Sequence, residues 1–185
     1  MADNYGRTQS KFGAGVHTAQ IKSIKFDETK GGIEIVSVLF TDPKGNLVID
    51  KVIWFPKYDQ VTPREDQTKD DAIASARRQF TAQFYTILDA VNGEDPADGS
   101  KTDKEFAQKC IAIINKHLNK PLLLVVQLDK EDKWSEVPKF RFVYPIDTPK
   151  ESLDLSKVNF GKSAKEEKKE SKGNRAPADD DELPF

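Results

Sequence analysis

Leu47-Val48-Ile49-Asp50-Lys51-Val52-Ile53-Trp54-Phe55-Pro56 is the stretch whose reading decides the fold. Leu47, Ile49, Ile53 and Phe55 alternate with Val48, Asp50, Val52 and Trp54, which is the two-residue period of a strand, and Pro56 closes it. Upstream, Asp42-Pro43-Lys44-Gly45-Asn46 carries proline and glycine where a hairpin turn needs them. Before that turn, residues 33–41 form an almost wholly apolar second strand, and Gly31-Gly32 marks another turn. Residues 16–26 are rich in β-branched and apolar side chains, but Ala19 and Ile21 are out of phase with Ile24 and Phe26. One extra residue near Ser23, a β-bulge, restores the phase. Three strands in a meander therefore precede Pro56.

Downstream of Pro56 the period changes. Residues 59–71 are polar and read as a loop. From about Lys69, Ile73, Ala76, Phe80, Phe84, Ile87, Leu88 and Val91 recur at three- and four-residue steps, so an amphipathic helix is expected, with Gly93 as its stop. Thr102-Asp103-Lys104-Glu105 is a capping-box signature for a second helix, whose face carries Phe106, Cys110, Ile113, Ile114 and Leu118 up to Pro121. Residues 122–128 read as a buried strand, 129–138 as a charged hairpin loop and 139–144 as a last strand. Its Phe140, Phe142 and Tyr144 are expected in the core, leaving Lys139 and Arg141 exposed.

The resulting class is mainly β with a helical insert at about 69–120, in the order βββ-αα-ββ. The oligonucleotide-binding (OB) fold, a five-stranded barrel with its helix between the third and fourth strands, fits that order. The expected organisation is a mobile arm over 1–13, a barrel over 14–160, a disordered linker over 161–178 and a distinct tip over 179–185. The linker has no large apolar residue and cannot bury enough surface to fold.

Composition narrows the function. The chain has 185 residues, 37% hydrophobic and 32% charged, which is enough for one domain with a real core. No apolar run approaches the roughly 18 residues of a membrane helix, and the polar start lacks the apolar core of a signal peptide. A single cysteine, Cys110, excludes an internal disulfide framework and suits a reducing cytoplasm, bacterial or that of an infected host cell. Net charge is −2, yet it is unevenly spread: residues 161–175 hold six Lys or Arg against three Glu, and the tip holds four acids. Catalysis finds no footing: His17 and His117 stand outside any motif, and no metal-ligand spacing, Walker loop or nucleophile elbow occurs. No cofactor is expected.

The tip, Asp179-Asp180-Asp181-Glu182-Leu183-Pro184-Phe185, runs four acids into an apolar residue, a proline and a terminal phenylalanine. Acidic tails often serve solubility alone, but a hydrophobic end suits a peptide ligand: proline limits the ordering cost of docking Phe185, and the acids attract a basic surface. These seven residues resemble the C-terminal tip of bacterial-type single-stranded DNA-binding proteins (SSB), with Leu183 at a position usually held by another aliphatic residue. The body resembles phage-encoded SSB-like proteins more loosely. That likeness rests on Gly15-Val16-His17, Ile21-Lys22-Ser23-Ile24-Lys25-Phe26, the glycine turn, the apolar strand and Trp54-Phe55. The resemblance implies sequence-tolerant binding of single-stranded DNA in replication, recombination or repair, with replication proteins recruited by residues 179–185. A protein-interaction adaptor that never touches DNA and a strand-annealing mediator remain open on the residues alone.

Binding single strands without sequence preference needs aromatic faces for bases beside cations for phosphates. On strands two and three of such a barrel and the adjoining loops, the candidates are Lys22, Lys25, Lys30, Lys51, Trp54, Lys57, Tyr58, Lys130, Lys133 and Trp134, with Lys139 and Arg141 on the last strand. Trp54 stands across the strand from Phe55, so only one of the two faces the core, where Phe55 and Phe40 are expected. Trp134 lies in a polar loop among lysines.

Overall fold

A computed structural model of the chain describes residues 10–57, 59, 61–96 and 99–161. Its strands are β1 (Ser10–Lys11), β2 (Gly15–Glu28), β3 (Glu34–Thr41), β4 (Leu47–Trp54), β5 (Pro121–Leu128), β6 (Ser135–Glu136) and β7 (Val143–Pro145). Between β4 and β5 lie the helices α1 (Lys69–Val91) and α2 (Asp103–Asn115).

β2 organises the sheet because it serves two partners. Its first half pairs antiparallel with β5, from Gly15 opposite Val126 to Gln20 opposite Pro121. Its second half pairs antiparallel with β3, from Gln20 opposite Thr41 to Glu28 opposite Glu34. The bulge falls where the phase shift requires it: Ile21 faces Phe40 and Ser23 faces Leu39, so Lys22 is the extra residue. Ala19, Ile21 and Ile24 consequently all enter the core.

β3 pairs with β4, and β5 carries β6 and β7 on its other edge. The result is a curled antiparallel half-barrel of five principal strands with two helices. Among the described residues no ladder joins β4 to β7; α1 packs on both and covers that side. β1 adds in parallel at Leu47 and Val48, and Phe12 behind it is buried. The end of the expected mobile arm is therefore docked, because an aromatic ring is held in the core and two backbone residues join an edge strand. Residues 1–9 lie outside the described residues.

The inner face of the sheet and both helices share one core, with Phe40, Phe80, Phe84 and Phe142 fully buried. Phe55, Phe80, Phe84 and Phe106 run in series, with ring centroids 5.0, 5.2 and 5.8 Å apart, within the range of favourable aromatic pairs. α1 is capped by Thr68, whose hydroxyl accepts from Asp71 N at 3.1 Å, and α2 by Thr102, which accepts from Glu105 N at 3.1 Å.

Two local expectations are corrected. The left-handed residue ending α1 is Asn92 (φ 52°) rather than Gly93. Gly93 is needed for space instead, since a Cβ there would meet Leu88 Cδ2 at 3.0 Å and Ile113 Cγ2 at 3.2 Å. The last strand is also shorter than expected: Arg141 has φ 50°, which interrupts the extended chain, and only Val143–Pro145 pair with β5. Phe142 is buried, but Phe140 is 43% exposed, the reverse of a regular alternation.

Candidate nucleic-acid interface

On β4 the period of two sends Ile49, Lys51 and Ile53 inward and leaves Asp50 and Trp54 exposed. Trp54 is 53% exposed at the strand's end, while Phe55 stacks into the core beside Phe26 and Phe80. Lys51, expected on the binding surface, is instead buried beneath it. Its ammonium donates to the Pro138 carbonyl at 2.8 Å and stands 5.0 Å from the centre of the Phe142 ring. Burial pulls its pKa down to about 8, against the Glu136 carboxylate and with the help of the Lys139 ammonium.

Above Lys51 runs an open groove of about 550 Å³ between the end of β4, α1 and the β5–β6 region. Trp54, Lys57, Gln79, Gln127, Glu136 and Lys139 line it, with Phe55 and Phe80 at its apolar side. A second hollow shares Gln127 and Lys139 and continues over Phe140, Arg141, Asp154 and Lys157. A third takes over at Lys157 and Val158 and reaches Lys130 and Asn159. Five cations and two exposed aromatics thus follow one track: Lys57, Lys139, Arg141, Lys157 and Lys130, with Trp54 and Phe140.

Side-chain contacts hold parts of this track in place. Lys139 Nζ donates to Gln79 Oε1 at 2.7 Å and stands 5.4 Å from the Phe140 ring centre. Arg141 pairs with Asp154. Trp134, 67% exposed, projects from a turn built by Asp129. The Asp129 carboxylate accepts from Lys133 N at 2.8 Å and from Trp134 N at 3.3 Å, and these hydrogen bonds, the one from Lys133 foremost, hold its pKa below the usual carboxylate range. Asn159 Nδ2 braces the same turn at Asp129 O (3.0 Å) and Asp132 Oδ1 (2.7 Å). Lys133 itself pairs with Glu131 at 2.6 Å.

The remaining candidates are scattered. Lys22 sits on the bulge, Lys25 pairs with Asp27 at 3.6 Å, and Lys30 lies in the turn between β2 and β3. None of the three lines the hollows described above. Tyr58, the linker beyond Gly161 and the whole tip Asp179–Phe185 lie outside the described residues. Sequence reasoning missed Phe140 and Lys157 as part of the track. The first was assigned to the core by an alternation that Arg141 breaks, and the second has no local pattern that marks it.

Elsewhere the chemistry is quiet. Cys110 is fully buried, and burial pushes its thiol up to about 12. His17 Nε2 lies 2.8 Å from Gly13 O beside the Phe12 ring. Among the described residues no cluster of His, Cys, Asp or Glu could hold a metal ion, and no helix is long and apolar enough to cross a membrane. Compared with known proteins, the chain matches no family model and no curated protein sequence.

Proposed function

We propose that this protein binds single-stranded DNA with little sequence specificity, through an OB-like barrel, in DNA replication, recombination or repair. The observation that carries this reading is the track from Trp54 to Lys130, where two exposed rings lie among five cations, the residue types that hold bases by stacking and phosphates by charge. The tip Asp179–Phe185 recruits replication or recombination proteins by its acids and terminal phenylalanine. The resemblance to phage-encoded SSB-like proteins supports a role in a phage-infected cell. Net charge of −2 favours a second reading, an adaptor that uses only the tip.

Trp54 and Trp134 are the only tryptophans, so intrinsic fluorescence reports stacking directly. Oligo-dT is expected to quench it in a salt-sensitive way that duplex DNA does not compete away. Trp54→Ala is expected to weaken binding by about 1–3 kcal/mol, the worth of one stacked base. No binding by the full chain or by a chain lacking residues 179–185 would overturn the proposal and leave the adaptor reading.

A further inference from the structure

β4 and β7 share no ladder, so the open side of the half-barrel is bridged by side chains and by α1. Lys51 is one such bridge: it leaves β4 on the core face and donates to the carbonyl of Pro138 at 2.8 Å. Pro138 begins the turn whose next three residues, Lys139, Phe140 and Arg141, line the second hollow, with Lys139 also on the groove above Lys51. The bridge therefore fixes the height and tilt of the turn that presents a cation, a ring and a second cation to the track.

The bridge is also charged, and it is short of negative partners. With only 7% of its surface exposed, the Lys51 ammonium has shed nearly all its water. From β6 it faces the Glu136 carboxylate, and from the turn it faces the Lys139 ammonium. α1 and β5 contribute only the neutral Gln79, Gln83 and Gln127 to the groove around it, and Lys57 adds a further cation at the rim. A phosphodiester lying in the groove supplies the missing negative charge to both the rim and the floor.

We propose that binding of single-stranded DNA in this groove is coupled to protonation of Lys51, which acts as a positioning residue for the Lys139–Arg141 turn. This inference rests on the DNA-binding reading above. In the free protein Lys51 holds its proton up to about pH 8. A bound phosphate extends that range upward, so over the interval between the two values the complex carries more protons than its parts. Affinity then falls as the solution turns alkaline, by at most about tenfold per pH unit for a single proton.

The test is titration of the full-length protein with oligo-dT from about pH 7 to about pH 9.5 at constant ionic strength, with calorimetry in buffers of different ionisation heat. The wild type is expected to lose affinity progressively above pH 8 and to take up protons on binding. Lys51→Arg, which stays charged throughout, and Lys51→Met, which is never charged, should both bind with a flat pH profile. The arginine variant is expected to retain the higher affinity. Two results would overturn the coupling: no proton uptake by the wild type, or a wild-type slope retained by both variants. Should neither variant fold, proton uptake by wild-type chain with an acetylated N-terminus decides, since acetylation removes the α-amine, whose ordinary pKa of about 8 overlaps that of Lys51. Failure to bind at pH 7 defeats the DNA-binding reading itself, whereas binding that is tight and indifferent to pH defeats only the coupling.

Discussion

Lys51 occupies a position that the strand pattern assigns to an apolar side chain, and both its stability cost and its contacts follow from that. Leu47, Ile49, Ile53 and Phe55 mark its face as the core, so its burial was legible in the sequence; reading it by its charge alone put it on the surface. Its ordinary pKa of 10.5 applies in the unfolded chain, and the folded value is about 8. Between those values the unfolded chain binds more protons, so stability rises with pH from about 8 to about 10.5, and below 8 the full cost, on the order of 3 kcal/mol, is present. Urea unfolding at pH 7.5 and pH 10 should show the wild type gaining stability and Lys51→Met gaining none of that increment. Trp54 was equally legible, because period two sets it opposite Phe55. Phe140 was not, since nothing local announces that Arg141 adopts a left-handed backbone.

Among the elements, β2 is the one whose irregularity was written most plainly. Two apolar sets out of phase by one residue demand a bulge, and Lys22 provides it. Deleting Lys22 forces the strand to choose between burying Ala19 with Ile21 and burying Ile24, at an expected cost above about 4 kcal/mol, a large fraction of a domain's stability. Replacing Lys22 with alanine keeps the bulge and should change stability by no more than about 0.5 kcal/mol. Thermal unfolding followed by circular dichroism separates the two. The start of α2 was legible from Thr102, whose hydroxyl accepts the expected backbone donor, and Thr68 caps α1 in the same way. The end of α1 was less so, because asparagine and glycine stand side by side at the only positions that tolerate the turn, and packing against Leu88 and Ile113 decides which takes which role.

For the molecule as a whole, a mainly β architecture with two helices was readable, but which edges meet was not. β1 against β4 and β6 against β5 are two-residue pairings, too short for any periodic signal, and the gap beside β4 follows from long-range geometry. The track is legible only in three dimensions, since Lys57, Lys139 and Lys157 come from distant parts of the chain. On the proposed DNA-binding reading, five cations along it imply a salt slope of about −3.5 in a plot of log affinity against log salt for a single strand, at about −0.7 per phosphate contact. Lys139→Ala should make that slope shallower by about 0.7, measured by fluorescence titration at several salt concentrations. The double pairing of β2 also sets an order of events in time. Gly15 must wait for Val126, and the meander cannot bury its inner face until both helices and β5 have been made. Closure of so long a loop is slow compared with local hairpin and helix formation. On the ribosome, the first three long strands would therefore wait through a long stretch of synthesis as an exposed, half-covered sheet, and the native core would assemble as a late, single step once the fourth long strand emerges.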